Sequence, residues 1–488
     1  MKVLAVHPSG LMYTKIFLRL EPLGLEMVAQ AIRSAGHQVR LIDLQAEDQE
    51  IFFKMLKEWQ PEVIAFSCNY MANVPEIIDL AMVTKTLLPQ SFIFVGGHSA
   101  SFISQELLEH GRGAIDCILR GEGESTVIQL LEAIQHDRNA ICEVPGVVSS
   151  ICDGPIPTIP TSLSDLQPAR DLLHRRRRYY IADMDPCASI EFSRGCPWDC
   201  AFCSAWTFYG RNYRLANPEK VVEDLERIKE PNLFVVDDVA FIQSEPSLEL
   251  GEAIARKGIK KTYYVETRGD VLLRNREVFA FWKKIGLSNM FIGLEAIDTE
   301  GLERFRKRTT LSKNFEALEL ARSMGFLVAI NIIADPSWDH ERFEVVRQFC
   351  IEVPEIVNLS VFTPYPGTES WYTESRNLIT RDYRLFDIQH AVLPTQLPLE
   401  EYYQELVKTQ EVVNKKFLGW KGLFFVSLYL TKNLLRGQTN MFRLFLGYNR
   451  VYNPKLQFAD HQMEVKYQIQ LPPETPGSVS PEKLYVHA

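Results

Sequence analysis

The sequence lacks any apolar run near the roughly 20 residues that span a bilayer; the longest, Leu423 to Leu430, is far too short. It also lacks an excess of positive charge. A net charge of −9 argues against general nucleic-acid binding, which needs a basic footprint. Glycine and proline, at 26 each in 488 residues, are too few for a collagen-like or low-complexity chain. The opening Met1-Lys2 runs straight into the strand-like VLAVH with no small-residue cleavage site, so the expected location is cytoplasmic. No GxGxxG is present, which disfavours a dinucleotide. What is there is an ordinary globular composition, 46% hydrophobic and 24% charged. At about 100–200 residues per domain, it predicts about three domains.

The cysteines number nine, an odd count that argues against a disulfide framework. Cys68, Cys117, Cys142, Cys152, Cys187 and Cys350 are scattered and read as small buried apolar residues. The exception is Cys196-Pro-Trp-Asp-Cys200-Ala-Phe-Cys203, spaced C-x3-C-x2-C. Short spacings let one loop aim several thiolates at an iron–sulfur cluster. A closed zinc site would need a fourth ligand, and none follows at a zinc-like interval. Three thiolates on a four-iron cluster leave one iron open for a substrate or cofactor.

Strand-like and helix-like runs alternate along most of the chain. Residues 1–140 carry strand candidates Lys2–His7, Gln38–Leu44, Val63–Asn69, Phe92–Gly96 and Ile115–Arg120, separated by helical stretches. Apolar strands with short connections predict a doubly wound parallel sheet, whose ligands sit at the carboxyl ends of the strands. Ser67-Cys-Asn, Gly96-Gly97-His-Ser and Arg120-Gly121-Glu-Gly123-Glu-Ser fall at such ends, and glycines there let a bulky ligand approach the backbone. Residues 141–187, broken by prolines 145, 155, 157, 160 and 168 among others, read as a linker. From 188 to 390 the rhythm returns about six times, with strands Ser189–Phe192, Leu233–Asp237, Thr262–Thr267, Met290–Glu295, Leu327–Ile333 and Val357–Phe362. Six such units predict a partial (β/α)6 barrel with its chemistry at the carboxyl strand ends. Residues 391–488 lose that rhythm and read as a helical C-terminal domain.

The loop Ser193-Arg-Gly-Cys196 through Cys203 resembles the radical S-adenosylmethionine (SAM) enzymes. The resemblance implies a [4Fe–4S] cluster on Cys196, Cys200 and Cys203, with Phe202 beside the adenine of SAM. Strand-end residues Asp237, Arg268 and Glu295 are then expected to meet its methionine and ribose groups. The preceding FVGGHSAS and ILRGEGEST resemble the cobalamin-binding domain of the cobalamin-dependent subgroup. This implies cobalamin contacts at Ser67, Gly96, Gly97, Gly121 and Gly123. His7 stands where that subgroup can place a cobalt-ligating histidine, yet Ala5 replaces the Asp that would orient it. That departure favours base-off cobalamin, with His7 a strand-end residue lining the cavity, over cobalt ligation by His7.

MKVLAVHPSGLMYTKIFLRLEPLGLEMVAQAI, SRGCPWDCAFCSAWTFYGRNYR and the basic, aromatic C-terminal region together resemble the hopanoid C-3 methylases. The implied reaction adds a methyl group to C-3 of the hopanoid A ring, an unactivated sp³ carbon. Such a C–H bond has no acidic proton, so radical abstraction rather than a general base must open it. The resemblance also implies an electron donor, a reductase or a ferredoxin or flavodoxin. Residues 411–450 hold seven Lys or Arg against Glu411, interleaved with aromatics. They read as a barrel-capping helical region or as a peripheral contact with the inner membrane face. Alternatives are a related enzyme with another substrate, as in the anaerobic porphyrin cyclases, or a non-catalytic cobalamin sensor.

Overall fold

In the N-terminal domain, alternate residues of each strand feed different cores. Leu4 and Val6 pack with Ile64, Phe66 and Phe52 on one face. Val3, Val63 and Ala65 pack with Leu130 and Leu131 on the other. A sheet buried on both faces is what continuous apolar strands build. The computed structural model describes residues 1–11, 17–417, 420–440, 442, 452–472 and 484–485. Its first sheet comprises β1 (Lys2–His7), β2 (Gln38–Asp43), β3 (Val63–Ser67), β4 (Phe92–Gly96), β5 (Cys117–Leu119) and β6 (Val147–Ser149). The order is β2-β1-β3-β4-β5-β6, parallel except for the antiparallel edge strand β6.

That edge strand corrects the reading of 141–187 as a plain linker, because the chain doubles back and Leu119 pairs with Val147. The same turn brings together Cys142 and Cys152, expected as separate thiols, and they form a disulfide.

The second sheet runs β7 (Cys187–Ile190), β8 (Asn232–Val235), β9 (Thr262–Thr267), β10 (Leu287–Glu295), β11 (Leu327–Ala334) and β12 (Ile356–Val361). Its strands are all parallel, in sequence order, with β7 and β12 as open edges. This is the partial six-stranded barrel. Its core buries Leu233, Val265, Ile292 and Ile330 with Trp282 and Phe343 of the surrounding helices. β7 begins and ends two residues before its expected bounds. Phe192 donates its N–H to the Asp237 carboxylate at 2.7 Å instead of to a neighbouring strand.

Helices Leu399–Phe417, Trp420–Leu435 and Pro454–Asp460 follow. The region is helical, but it is bound into both earlier domains. Val413 and Tyr402 join the barrel core, while Tyr467 and Ile469 join the N-terminal one. No helix among the described residues is long and apolar enough to cross a membrane. Of the expected interfacial stretch, Leu428 and Leu435 are 59% and 85% exposed. Arg443, Phe445, Tyr448 and Arg450 lie outside the described residues.

Candidate active site

Where β3, β4 and β5 end, the chain supplies Ser67, Gly96, Gly97, Gly121 and Gly123, and all five line one cleft of about 520 Å³. Its far wall comes from the barrel half, through Glu191, Arg194, Phe208, Tyr209 and Val236. Gly97 sits at φ +112°, and a Cβ there would lie 2.6 Å from Asn69 Oδ1 and 2.9 Å from the Cys68 carbonyl. Only glycine fits this floor. The arrangement suits a large, flat ligand pressed against bare backbone. Tyr485 reaches the same rim: the Glu122 N–H donates to its Oη at 2.6 Å.

His7 is the exception among the residues expected at cobalamin. It ends β1 with 5% exposure, while the cleft is built over β3–β5 and the helix Leu23–Ser34. Burial holds its imidazole below the usual value, so it is neutral.

The cluster loop leaves β7 through Gly195, at φ +97°, where any Cβ would overlap the Asn212 carbonyl. Its thiols are free, with Cys200 buried and Cys196 and Cys203 partly exposed. Burial raises the Cys196 and Cys203 thiols to about 11 and about 12, so metal must displace the protons. Among the described residues, no three His, Cys, Asp or Glu converge on a single metal ion. Three thiols on one short loop suit a cluster in which each takes a different iron.

The loop is strapped from several directions. Gly195 N–H donates to Asp238 at 2.8 Å, Ala201 N–H to the Phe305 carbonyl at 3.1 Å, and Ser370 Oγ to the Ala201 carbonyl at 3.0 Å. Asp199 accepts two bonds from Arg308, at 2.6 and 2.7 Å, and one from Arg211 at 2.8 Å. These guanidiniums, Arg308 foremost, hold its carboxyl down at about 2.

The residues expected at SAM surround this loop unequally. Arg268 lies 3.8 Å from Cys200 Sγ and stacks over Trp198 at 4.5 Å. It also donates to the Lys307 carbonyl at 2.7 Å and to Asp270 at 2.9 Å. Glu295, at φ +68°, accepts from Lys307 Nζ at 2.9 Å and from Asn331 at 3.0 Å. Phe202 packs edge-on to Phe305, 5.6 Å between centroids. Asp237 is the outlier. Its carboxylate accepts from Phe192 N–H and Ser193 Oγ and faces a separate small cavity. Burial raises it to about 7. Its neighbour Asp238, missed as a site residue, contacts the cluster loop instead, and the consecutive pair in VVDD was the available signal.

One buried cation joins the two sites. Arg194, two residues before Cys196, bonds Glu122 at 2.6 Å, Glu124 at 2.9 Å and Glu191 at 2.8 Å. Arg214 bonds Glu122 as well. The loop between Gly121 and Gly123 is thereby fastened to the cluster strand.

The B12 binding domain family matches residues 11–131, and the Radical SAM superfamily matches residues 190–350. Over 488 residues the chain is 62% identical to the hopanoid C-3 methylase of Methylococcus capsulatus, covering all of this chain and 95% of that one. It belongs to the hopanoid C-3 methylase family. As a member it is a cobalamin-dependent radical SAM enzyme, with its two cofactor domains matched in the order described. It is 26% identical to the anaerobic magnesium-protoporphyrin IX monomethyl ester cyclase of Cereibacter sphaeroides, over 88% of this chain and 74% of that one. The fold matches the radical enzyme OxsB solved with aqua-cobalamin, at TM-score 0.64 and 16% identity, over 95% of this chain and 81% of that one. It also matches TsrM from Kitasatospora setae, at TM-score 0.61, over 77% and 74%.

Proposed function

We propose that this enzyme transfers a methyl group to C-3 of the A ring of a hopanoid. The full-length 62% identity to a hopanoid C-3 methylase carries the substrate assignment. When bound, the cluster and SAM supply the hydrogen-abstracting radical, and cobalamin supplies the methyl group. The chain's own part is positioning and exclusion of water.

Cys196, Cys200 and Cys203 would hold the cluster, with Phe202, Arg268 and Glu295 around SAM. Gly96, Gly97, Gly121 and Gly123, with Ser67, would form the floor under the corrinoid. Arg268, packed on Trp198 and against Cys200, would orient the SAM carboxylate as a planar donor. Glu295, already paired with Lys307, contributes an acceptor whose geometry is fixed before SAM arrives. Asp237 serves the turn into the cluster loop, and the burial of His7 away from the cleft favours base-off cobalamin. Exposed Leu428 and Leu435 support a peripheral lipid contact near residues 411–450. An external reductase or ferredoxin or flavodoxin would deliver electrons.

The test is expression in a hopanoid producer that lacks the gene, followed by mass spectrometry of its cyclised lipids. A hopanoid one methyl heavier, with the gain on the A/B-ring fragment, is expected. Unchanged hopanoids, with soluble protein carrying cluster and cobalamin, would leave the radical class and discard the substrate.

A further inference from the structure

Beside the corrinoid cleft lies a second cavity of about 270 Å³. The two share Asn69, Tyr70 and His98, so they adjoin at these side chains. Tyr70 is 45% exposed although it lies between the two halves of the molecule, because both cavities open onto it. Leu11 and Met71 approach from the N-terminal domain, Ser204 follows the last cluster cysteine, and Pro366, Phe386 and Ile388 come from beyond β12.

Asp387, Ser99, His98 and Ser204 on this lining are bonded to the protein itself. Asp387, the one carboxylate on the lining, accepts from the N–H groups of Gln389 and His390 and from His390 Nδ1, all within its own turn. His98 Nε2 is 2.7 Å from Ser204 Oγ, and its ring stacks on Phe208 at 4.6 Å. What the cavity offers a ligand is mostly hydrocarbon and aromatic surface.

A second observation marks the same wall. Ile388 is held at φ +59°, a left-handed conformation that a β-branched residue normally avoids. Its carbonyl accepts from the N–H of Val361, the last residue of β12, at 2.7 Å, which pins it there. Strain of this kind survives where surrounding structure over-determines it, and it concentrates at ligand-holding positions.

We propose that this second cavity receives the A-ring end of the hopanoid, with Ile388 as the wall that sets its depth. Tyr70 and His98, which line both cavities, mark where the ring meets the corrinoid cleft. The assignment rests on the proposed hopanoid reaction. The volume is slightly below the roughly 300–1,000 Å³ of sites that enclose a whole small molecule, which suits one end of a pentacycle whose remainder extends outward.

The test uses full-length holoenzyme in detergent with diploptene as probe. Ile388→Trp should fill the cavity. At least tenfold less diploptene should co-elute on gel filtration, and methylated product should fall by a similar factor, with iron and cobalamin contents unchanged. Ile388→Gly relieves the backbone and removes the wall. It should melt no lower than the wild type, yet release several-fold more 5′-deoxyadenosine per methyl group transferred, since the ring is no longer held. This variant carries the test alone if Ile388→Trp does not fold. Wild-type diploptene retention and KM in Ile388→Trp, or wild-type coupling in Ile388→Gly, would overturn the assignment. A wild-type enzyme that neither retains nor methylates diploptene would overturn the hopanoid reading, and the cavity assignment with it.

Discussion

Asp199 stands directly before Cys200, and its three bonds to Arg308 and Arg211 fix the loop between two cluster cysteines. Its carboxyl is held below the ordinary range, so its contribution is present at neutral pH and is lost as pH falls through about 4 toward 2. Asp199→Asn should therefore keep the fold and lose visible cluster absorbance several-fold faster under chelator. Replacing Cys196, Cys200 or Cys203 by Ala should abolish that absorbance and the activity together; full activity in any one variant would remove the cluster assignment. The three cysteines stand out in the sequence because they share one short loop, where spacing itself suggests the chemistry. Asp199 does not, because its partner Arg308 is 109 residues away and no local pattern links them. Asp237 and His7 both lie at strand ends, yet Asp237 faces a separate cavity and His7 is not on the lining of the glycine-floored cleft. Position at a strand end is readable from sequence, but which way the side chain turns depends on neighbours from other strands.

At the level of elements, the regular βα units were readable from apolar periodicity, while their exceptions came from long-range pairing. β6 is three residues long and earns its place by pairing with β5 rather than by its own pattern. Gly97, between β4 and the helix His98–Phe102, tests the cleft floor. Gly97→Ala should cost about 2 kcal/mol or more in stability through its left-handed backbone and its clash with Asn69. The purified protein should hold correspondingly less cobalamin, measured spectroscopically. The helix Ser104–Gly111 carries Glu106, which accepts from Tyr383 Oη and from the Gln470 N–H at 2.9 Å. Burial raises Glu106 to about 7. A carboxyl raised on folding binds more protons in the folded state, so its effect favours folding below about 4.5 and is lost as pH rises to 7. Glu106→Gln should flatten the dependence of melting temperature on pH between 5 and 8, by about 1–3 kcal/mol of stability.

Across the whole molecule, buried ions tie the domains. Arg170 bonds Glu21 at 2.9 Å and Asp224 at 2.7 Å, joining the N-terminal domain to the barrel. Arg194 does the same between the glycine-floored cleft and the Cys196 loop. Removing one partner of a buried network strands the others, so Arg194→Ala should cost about 3–5 kcal/mol. Because Arg194 touches both the Glu122 loop and the cluster strand, iron and cobalamin contents should fall together. Loss of one alone would show that the two sites are held independently. The contact between Glu122 and Tyr485 spans 363 residues. At about 5–20 residues per second, a ribosome takes roughly 20–70 s to travel that far. For that interval the nascent N-terminal domain has its Gly121 loop uncovered. The glycine floor of the cleft is therefore made first, and the barrel wall and Tyr485 that complete its rim are made last.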